Sequence, residues 1–162
     1  MTTKEISKMF TQSNTPALES REAGGLIKAT ELKGIQGIDM YITLFGDDYL
    51  AGVELLERQL RKMSRQDECL AGWRAIWLSN DTGYFAPDVE RITLSCPDND
   101  FEGELSGNAA GIVLTLFDLN HLMWFASARK NTFAVWALTQ RWDALKDYAE
   151  TLDEAALIFR AI

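Results

Sequence analysis

The most restrictive feature of this sequence is one long segment, residues 109–126, that is apolar on nearly every side of the helix it predicts. Ser106 precedes the segment and offers a side-chain N-cap. The segment would span only about 27 Å as a helix, and its middle holds Asp118, Asn120 and His121, each costly in lipid hydrocarbon. It therefore predicts a buried helix at the centre of a fold and not a membrane span.

The remaining pattern predicts both helices and strands. In residues 48–63 apolar residues recur at steps of three and four, which predicts an amphipathic helix with one buried face: Leu50, Val53, Leu56, Leu60 and Met63. Segments 73–78, 83–87 and 91–96 are short and rich in aromatic and β-branched residues, and we expect them to form a three-stranded antiparallel meander. Two more helices are expected, one at about 133–150 and one opened by a capping box from Thr151 to Glu154.

This order predicts an α+β fold, with a small antiparallel sheet of about three strands packed with about four helices in a single domain. A chain of 162 residues with 47% hydrophobic residues can bury one core. Residues 1–37 are poorly patterned, so we expect a partly mobile N-terminal segment and a domain over residues 38–162. No export signal is visible at the N-terminus, and the cytosol is the expected compartment.

The charge of the chain is strongly negative and unevenly placed. Its 24 acidic residues exceed its 16 lysines and arginines, giving a formal charge of −8, and such a surface repels nucleic-acid phosphates. Between Asp81 and Asp118 eight acids face Arg91 as the one basic residue. This segment predicts either a solvated rim of the sheet or a docking surface for a basic protein. Direct binding of nucleic acid is not expected.

Familiar catalytic and metal-binding patterns are missing from the sequence. The single histidine, His121, lies in the most apolar helix, and Cys69 and Cys96 are isolated, so we expect all three to be packed. Residues 98–103 begin like a calcium loop, but its twelfth position is Ala109 and a predicted strand precedes it. We predict no catalytic residue, metal or cofactor, although the clustered acids leave a carboxylate-based hydrolase open.

Four sequence blocks resemble the ArdB/KlcA antirestriction family: residues 73–80 (WRAIWLSN), 83–87 (GYFAP), 101–113 (FEGELSGNAAGIV) and the ending 155–161 (AALIFRA). The resemblance covers about residues 45–162. The chain departs from the family pattern at residues 81–83 (DTG) and 70–72 (LAG), which touch a turn and a strand entry. The family-motif residues, to which we assign structural roles, are Trp73, Leu78, Ser79, Asn80, Gly83, Ala86, Pro87, Gly103, Leu105, Ser106, Ala109, Ala110 and Gly111.

The resemblance implies a small bacterial cytoplasmic protein, commonly encoded on mobile elements, that relieves type I DNA restriction without a catalytic residue or a cofactor. Its expected partner is the type I restriction-modification enzyme or an associated host protein, with no membrane contact; the sequence does not predict an oligomeric state. An acidic DNA mimic that occupies the DNA channel of the enzyme is the alternative.

Two sets of residues follow as specific hypotheses. Gly103, Gly107 and Gly111 recur every fourth residue, and we expect them to allow a sharp turn and close helix packing. The partner-facing edge is predicted to combine the acids Asp98, Asp100 and Glu102 with the turn Asn80, Asp81 and Thr82.

Overall fold

A computed structural model describes residues 25–64 and 72–162. In chain order the strands are β1 (Ala29–Leu32), β2 (Trp73–Leu78), β3 (Thr82–Pro87), β4 (Arg91–Cys96) and β5 (Phe101–Ser106). The helices are α1 (Ile35–Phe45), α2 (Tyr49–Met63), α3 (Gly107–Ala128), α4 (Thr132–Ala149) and α5 (Ala155–Ala161). The predicted α+β fold is confirmed, and α1 is a helix that the sequence pattern did not predict.

Helix α3 is the centre of the fold, as predicted. Residues 109–116 are all buried, and α3 packs against β3, α2 and α4. The Ser106 hydroxyl accepts a hydrogen bond from the Ala109 amide at 3.1 Å, so the predicted N-cap is present. By length and composition α3 could cross a membrane, but about two thirds of its most apolar window is enclosed by the rest of the protein, which is typical of a core helix.

The strands form two antiparallel sheets instead of one meander. The first sheet has the order β1-β2-β3, and the second consists of β4 and β5. The chain bends at residues 88–90 and β4 then pairs with β5, because Ile92, Leu94 and Cys96 stand in register with Leu105, Gly103 and Phe101 on one inward face. The predicted β3–β4 pairing is therefore wrong. The third strand comes from residues 29–32, inside the segment expected to be poorly ordered, while residues 1–24 lie outside the described part of the chain.

Two further details of the helices differ from expectation. Helix α2 matches the predicted amphipathic segment, but Leu50, assigned to its buried face, is exposed. The capping box before α5 is not formed. Instead, a Glu154 carboxylate oxygen accepts from the Ser106 amide at 2.9 Å, so Glu154 ties the start of α5 to the end of β5.

Close backbone contact between α3 and β3 depends on Gly111. A Cβ atom on this residue would lie 2.5 Å from the Ala86 Cα and 2.6 Å from the Phe85 carbonyl oxygen. The Gly107 position is similarly restricted, since a Cβ there would meet the Pro87 carbonyl oxygen at 2.9 Å. Gly103 is not part of this helical strip: it lies on β5, where the nearest neighbour of an added Cβ is the Phe101 ring.

Candidate partner-binding surface

The β4–β5 hairpin places charge on one face and apolar side chains on the other. Successive residues of a strand point to opposite faces, and Phe101 and Leu105 are buried while Glu102 and Glu104 are exposed. The turn between the strands adds exposed Asp98 to this outward surface. Alternation in the sequence of β5 thus produces an acidic outer face on an apolar support.

The turn of this hairpin is fixed to the rest of the protein. Residues Pro97–Asn99 form a short 3-10 turn, and Asp100 follows in the left-handed conformation with φ of 50°. The Asn99 side-chain nitrogen Nδ2 donates to the Ala161 carbonyl oxygen at 2.8 Å, which attaches the turn to the end of α5. Beneath it, burial and the nearby Asp98 raise the pKa of the Cys96 thiol. The turn that carries Asp98 and Asp100 therefore has a defined backbone conformation.

Glu104 on the outer face pairs with an arginine of the neighbouring strand. The Arg91 guanidinium donates to a Glu104 carboxylate oxygen across the β4–β5 pair, and this hydrogen bond raises the pKa of Arg91. Asp98, Asp100 and Glu102 are the exposed acids of this hairpin that the sequence assigned to the partner-facing edge. We call these three residues the acidic hairpin surface.

The turn between β2 and β3 has a different role. The Asn80 side-chain nitrogen Nδ2 donates to the Ala144 carbonyl oxygen at 2.8 Å, and the Thr82 hydroxyl donates to the Arg141 carbonyl oxygen at 2.9 Å. Thr82 is fully buried. Asn80 is half-buried, and its side-chain oxygen Oδ1 is buried without a hydrogen-bond partner. Asp81, with φ of 63°, is the exposed member of this turn. Both hydrogen bonds attach the turn to α4.

The structure thus fastens the two halves of the predicted edge to different helices. The turn at residues 80–82 is held by α4, and the turn that carries Asp98 and Asp100 is held by α5. Thr82 offers no surface to a partner because its side chain is enclosed. We therefore leave Asn80 and Thr82 out of the candidate surface and keep the acidic hairpin surface, while Asp81, which is exposed, stays a predicted partner-facing residue.

A further acid of the same sequence segment contributes no surface charge. Asp118 is fully buried in α3, and both of its carboxylate oxygens are without a hydrogen-bond partner. Burial raises its pKa from 3.8 to about 9, against the opposing effect of the Arg58 charge on α2. Asp118 is protonated at neutral pH, so the count of eight charged acids taken from the sequence includes one neutral group. Nothing in the linear pattern distinguishes it from the exposed acids.

The residues considered for catalysis or metal binding are placed separately. The His121 Nδ1 atom lies 2.8 Å from the Phe117 carbonyl oxygen and 3.3 Å from the Gln59 amide nitrogen, in a half-buried position between α3 and α2. Cys96 is buried and unpaired, and Cys69 lies outside the described residues. Within residues 25–64 and 72–162, no three histidine, cysteine or acidic side chains are grouped so that they could hold a metal ion.

A cleft of about 620 Å³ opens between β1, α1 and β2. On its wall the Tyr41 ring stacks on the Phe85 ring with centroids 3.9 Å apart. Its charged groups are matched within the chain: Lys33 pairs with Glu31 at 2.6 Å, and Arg74 lies 3.6 Å from Asp88. Because these charges compensate one another, the cleft does not select an ionic ligand of either sign.

The family-motif residues lie on β2, β3, β5 and the start of α3, and on the turn between β2 and β3. The hydroxyl and the backbone amide of Ser79 join residue 28 to the end of β2. Its Oγ accepts from the Lys28 backbone amide at 2.9 Å, and its own backbone amide donates to the Lys28 carbonyl oxygen at 2.9 Å. Leu78, Ala86, Leu105 and Ala110 are fully buried. The Trp73 indole donates to Glu57 of α2 at 2.7 Å. The block therefore builds the core that carries the candidate surface.

Comparison with known proteins gives a consistent result. A family model described as Antirestriction protein matches residues 66–162. The antirestriction protein KlcA of Escherichia coli is 37% identical over 138 residues, which cover 84% of this chain and 94% of that protein. Another Escherichia coli antirestriction protein KlcA is 42% identical over 91 residues, or 56% of this chain and 60% of that protein.

A solved structure is similar over the same extent. It is described as showing that the KlcA and ArdB proteins have a novel fold and antirestriction activity against type I DNA restriction systems in vivo but not in vitro. It matches with a TM-score of 0.72 and 34% sequence identity, and the match covers 84% of this chain and 94% of that one. Sequence and backbone thus identify the same relatives.

Proposed function

Because the chain belongs to the antirestriction protein family, we propose that it relieves type I DNA restriction in the bacterial cytoplasm by binding a protein, without catalysing a reaction. The strongest support is the description of the structural relatives, which act in vivo but not in vitro. A protein that blocked the enzyme alone would act on the purified enzyme as well. Activity that needs the cell indicates a further host component, either as the direct target or as a partner of the restriction enzyme.

The distribution of carboxylates favours protein binding over DNA mimicry. A mimic must present many charges at phosphate-like spacing, because phosphate contacts supply most of the affinity of a DNA site. Of the eight acids between Asp81 and Asp118, Glu104 and Asp88 face arginines within the chain and Asp118 is buried. The other acids of this segment lie at turns and on one strand face, and such a local concentration of charge suits steering of a basic partner.

The acids Asp98, Asp100, Glu102 and Glu104 also give little support to a hydrolase. All four are exposed, whereas carboxyl groups that act as general acids are usually held in partly desolvated surroundings. We assign them to recognition instead. A basic patch on the partner would meet the acidic hairpin surface, and the charges would mainly increase the rate of association.

The test compares two triple variants in a host with an active type I system, plated with unmodified phage at matched soluble expression. Asp98→Asn, Asp100→Asn and Glu102→Gln neutralise the acidic hairpin surface, and asparagine tolerates the left-handed conformation of residue 100. The control neutralises Asp143, Asp147 and Glu150, which are exposed on α4 and just beyond it. We expect partial loss of restriction relief, about tenfold, in the first variant and none in the control.

Each other outcome has a distinct meaning. Equal loss in both variants would point to bulk charge and thus to DNA mimicry, which competition with duplex DNA for purified enzyme, weakening as salt rises, would establish. Loss in the control alone would place the binding face on α4. Unchanged restriction by the parent chain would contradict the proposed function itself.

A further inference from the structure

Four large aromatic side chains are exposed on the turns of α3 and α4 that flank the connection between these two helices. Trp124 and Phe125 lie in the last turns of α3, and Phe133 and Trp136 lie in the first turns of α4. Their exposed fractions are 70%, 43%, 73% and 60% in that order. We call these four residues the aromatic corner. The apolar pattern of residues 109–126 predicts a buried helix, so the exposure of Trp124 and Phe125 was not expected.

The exposure follows from the pattern of α4. Leu138 and Leu145 face inward and are buried, while Phe133 and Trp136 face outward and their rings are in contact, with centroids 6.0 Å apart. A helix that is apolar on two sides needs a second surface to cover it. Together the four rings expose on the order of 500 Å² of apolar area, near the upper limit for one patch on a monomeric protein.

The rim of the aromatic corner carries both signs of charge in balance. Arg129 and Lys130 lie in the turn between the two helices, and Arg129 pairs with Asp48 from the junction of α1 and α2. Asp47 is exposed beside Asp48. This contact joins the α1–α2 junction to the turn between α3 and α4. Two basic and two acidic groups at the rim leave this area neutral in a chain of net charge −8.

We propose that the aromatic corner binds a second copy of this chain in a two-fold symmetric dimer. A stable interface buries about 800 Å² on each partner, with an apolar centre and a polar rim. The aromatic corner supplies an apolar centre of more than half that size, and its rim supplies the polar remainder. A two-fold axis brings two copies of the same surface together. The balanced charges of this rim allow that contact, whereas two copies of the acidic hairpin surface would repel each other.

The test is sedimentation velocity of the full chain over about a hundredfold range of concentration, with the variants Trp124→Glu and Trp136→Glu. Both residues are surface groups, so the substitutions leave the core contacts intact. We expect concentration-dependent dimerisation of the parent and at least about tenfold weaker association in each variant, because each change buries two carboxylates at a symmetric interface. Ile38→Glu is the matched control: Ile38 is equally apolar and exposed, lies on α1 outside the aromatic corner, and should leave association unchanged.

Quenching of tryptophan fluorescence by acrylamide distinguishes other occupants. For a dimer, dilution should increase the quenching of the parent but not of the variants. A monomer whose Trp124 and Trp136 are shielded from acrylamide would show that another segment of this chain covers the patch. A monomer with both indoles accessible, and with restriction relief lost in the two glutamate variants, would show that a different protein docks there. Either result would overturn the dimer.

Discussion

The two β-hairpins of this protein have the same strand lengths but opposite surroundings. Each pairs two six-residue antiparallel strands, yet every residue of β3 is buried, whereas buried and exposed residues alternate along β5. On the β2–β3 hairpin even Thr82 is enclosed. The polar residues at the turn of the first hairpin therefore hold the fold together, whereas the acids of the second hairpin are exposed to solvent.

The cause of the difference is the position of the central helix. Gly111 lets the α3 backbone contact β3 directly, and α4 covers the β2–β3 turn through the carbonyl groups of Arg141 and Ala144. The β4–β5 pair meets the core with one face only, through residues such as Leu94 and Leu105. A sheet covered on one side keeps a solvated side. Location relative to α3, more than residue type, decides what a polar side chain does here.

The largest expected effect concerns the glycines of the two regions. Gly111→Ala would place a Cβ against the backbone of residues 85 and 86, and we expect a loss of about 3 kcal/mol in the free energy of unfolding despite the better helix propensity of alanine. Gly111→Leu should abolish soluble expression, and this is the largest effect expected of any variant. Gly103→Ala meets only the Phe101 ring, which can shift, so its cost should stay below about 1 kcal/mol. Urea unfolding measures the free energy of unfolding of both alanine variants.

A Gly111→Ala protein that melts within about a degree of the parent would show that α3 and β3 can separate without cost. The contrast between β3, which α3 contacts closely, and β5, where the Phe101 ring can shift, would then be lost.

The next effect concerns the buried acid. The pKa of Asp118 is about 9 in the folded protein, against the ordinary value of 3.8, so between these values the folded state holds a proton that the unfolded state releases. The stability from this group is complete below pH 3.8 and is lost as pH rises toward 9. Between pH 5 and 8 the loss is about 4 kcal/mol at most.

We therefore expect Asp118→Asn to be more stable than the parent at pH 8, by an amount that shrinks toward pH 5. Urea unfolding at both pH values gives the comparison. Asp98→Asn makes the same chemical change at an exposed position and should alter stability by less than about 0.5 kcal/mol at either pH. A pH dependence that Asp118→Asn leaves unchanged would mean that the Asp118 carboxyl is not the group responsible.

The sequence predicts those parts of the fold whose cause is local. The periodicity of residues 48–63, the N-cap at Ser106 and the apolar segment that forms α3 each depend on neighbouring residues, and each is observed. The close packing at Gly111 was also predictable, because few other reasons exist for glycine in so apolar a helix.

Features that depend on distant residues were not predictable from the pattern. Strand β1 pairs with a strand more than forty residues later, and Glu154 reaches Ser106 in place of its own helix. The burial of Asp118 has no sequence signature, since an acid in an apolar helix can equally mark a solvated stripe. For the candidate surface, one signal was present: β5 alternates polar and apolar residues, whereas β3 does not, and this separates Glu102 from Thr82.

The smallest effect compares one threonine from each hairpin. Thr82→Val keeps the shape of the side chain but removes the hydroxyl that donates to the Arg141 carbonyl oxygen, leaving that acceptor without its partner. We expect a loss of about 1 to 2 kcal/mol in the free energy of unfolding. Thr93→Val makes the same change on the half-exposed outer face of β4, opposite Glu104. Water can replace the lost hydroxyl there, and valine is favoured in strands. The free energy of unfolding should therefore change by less than about 0.5 kcal/mol. Urea unfolding of the two variants decides whether burial under α4 is what makes a polar residue structural. Equal losses would assign the effect to threonine chemistry in strands generally and not to burial under α4.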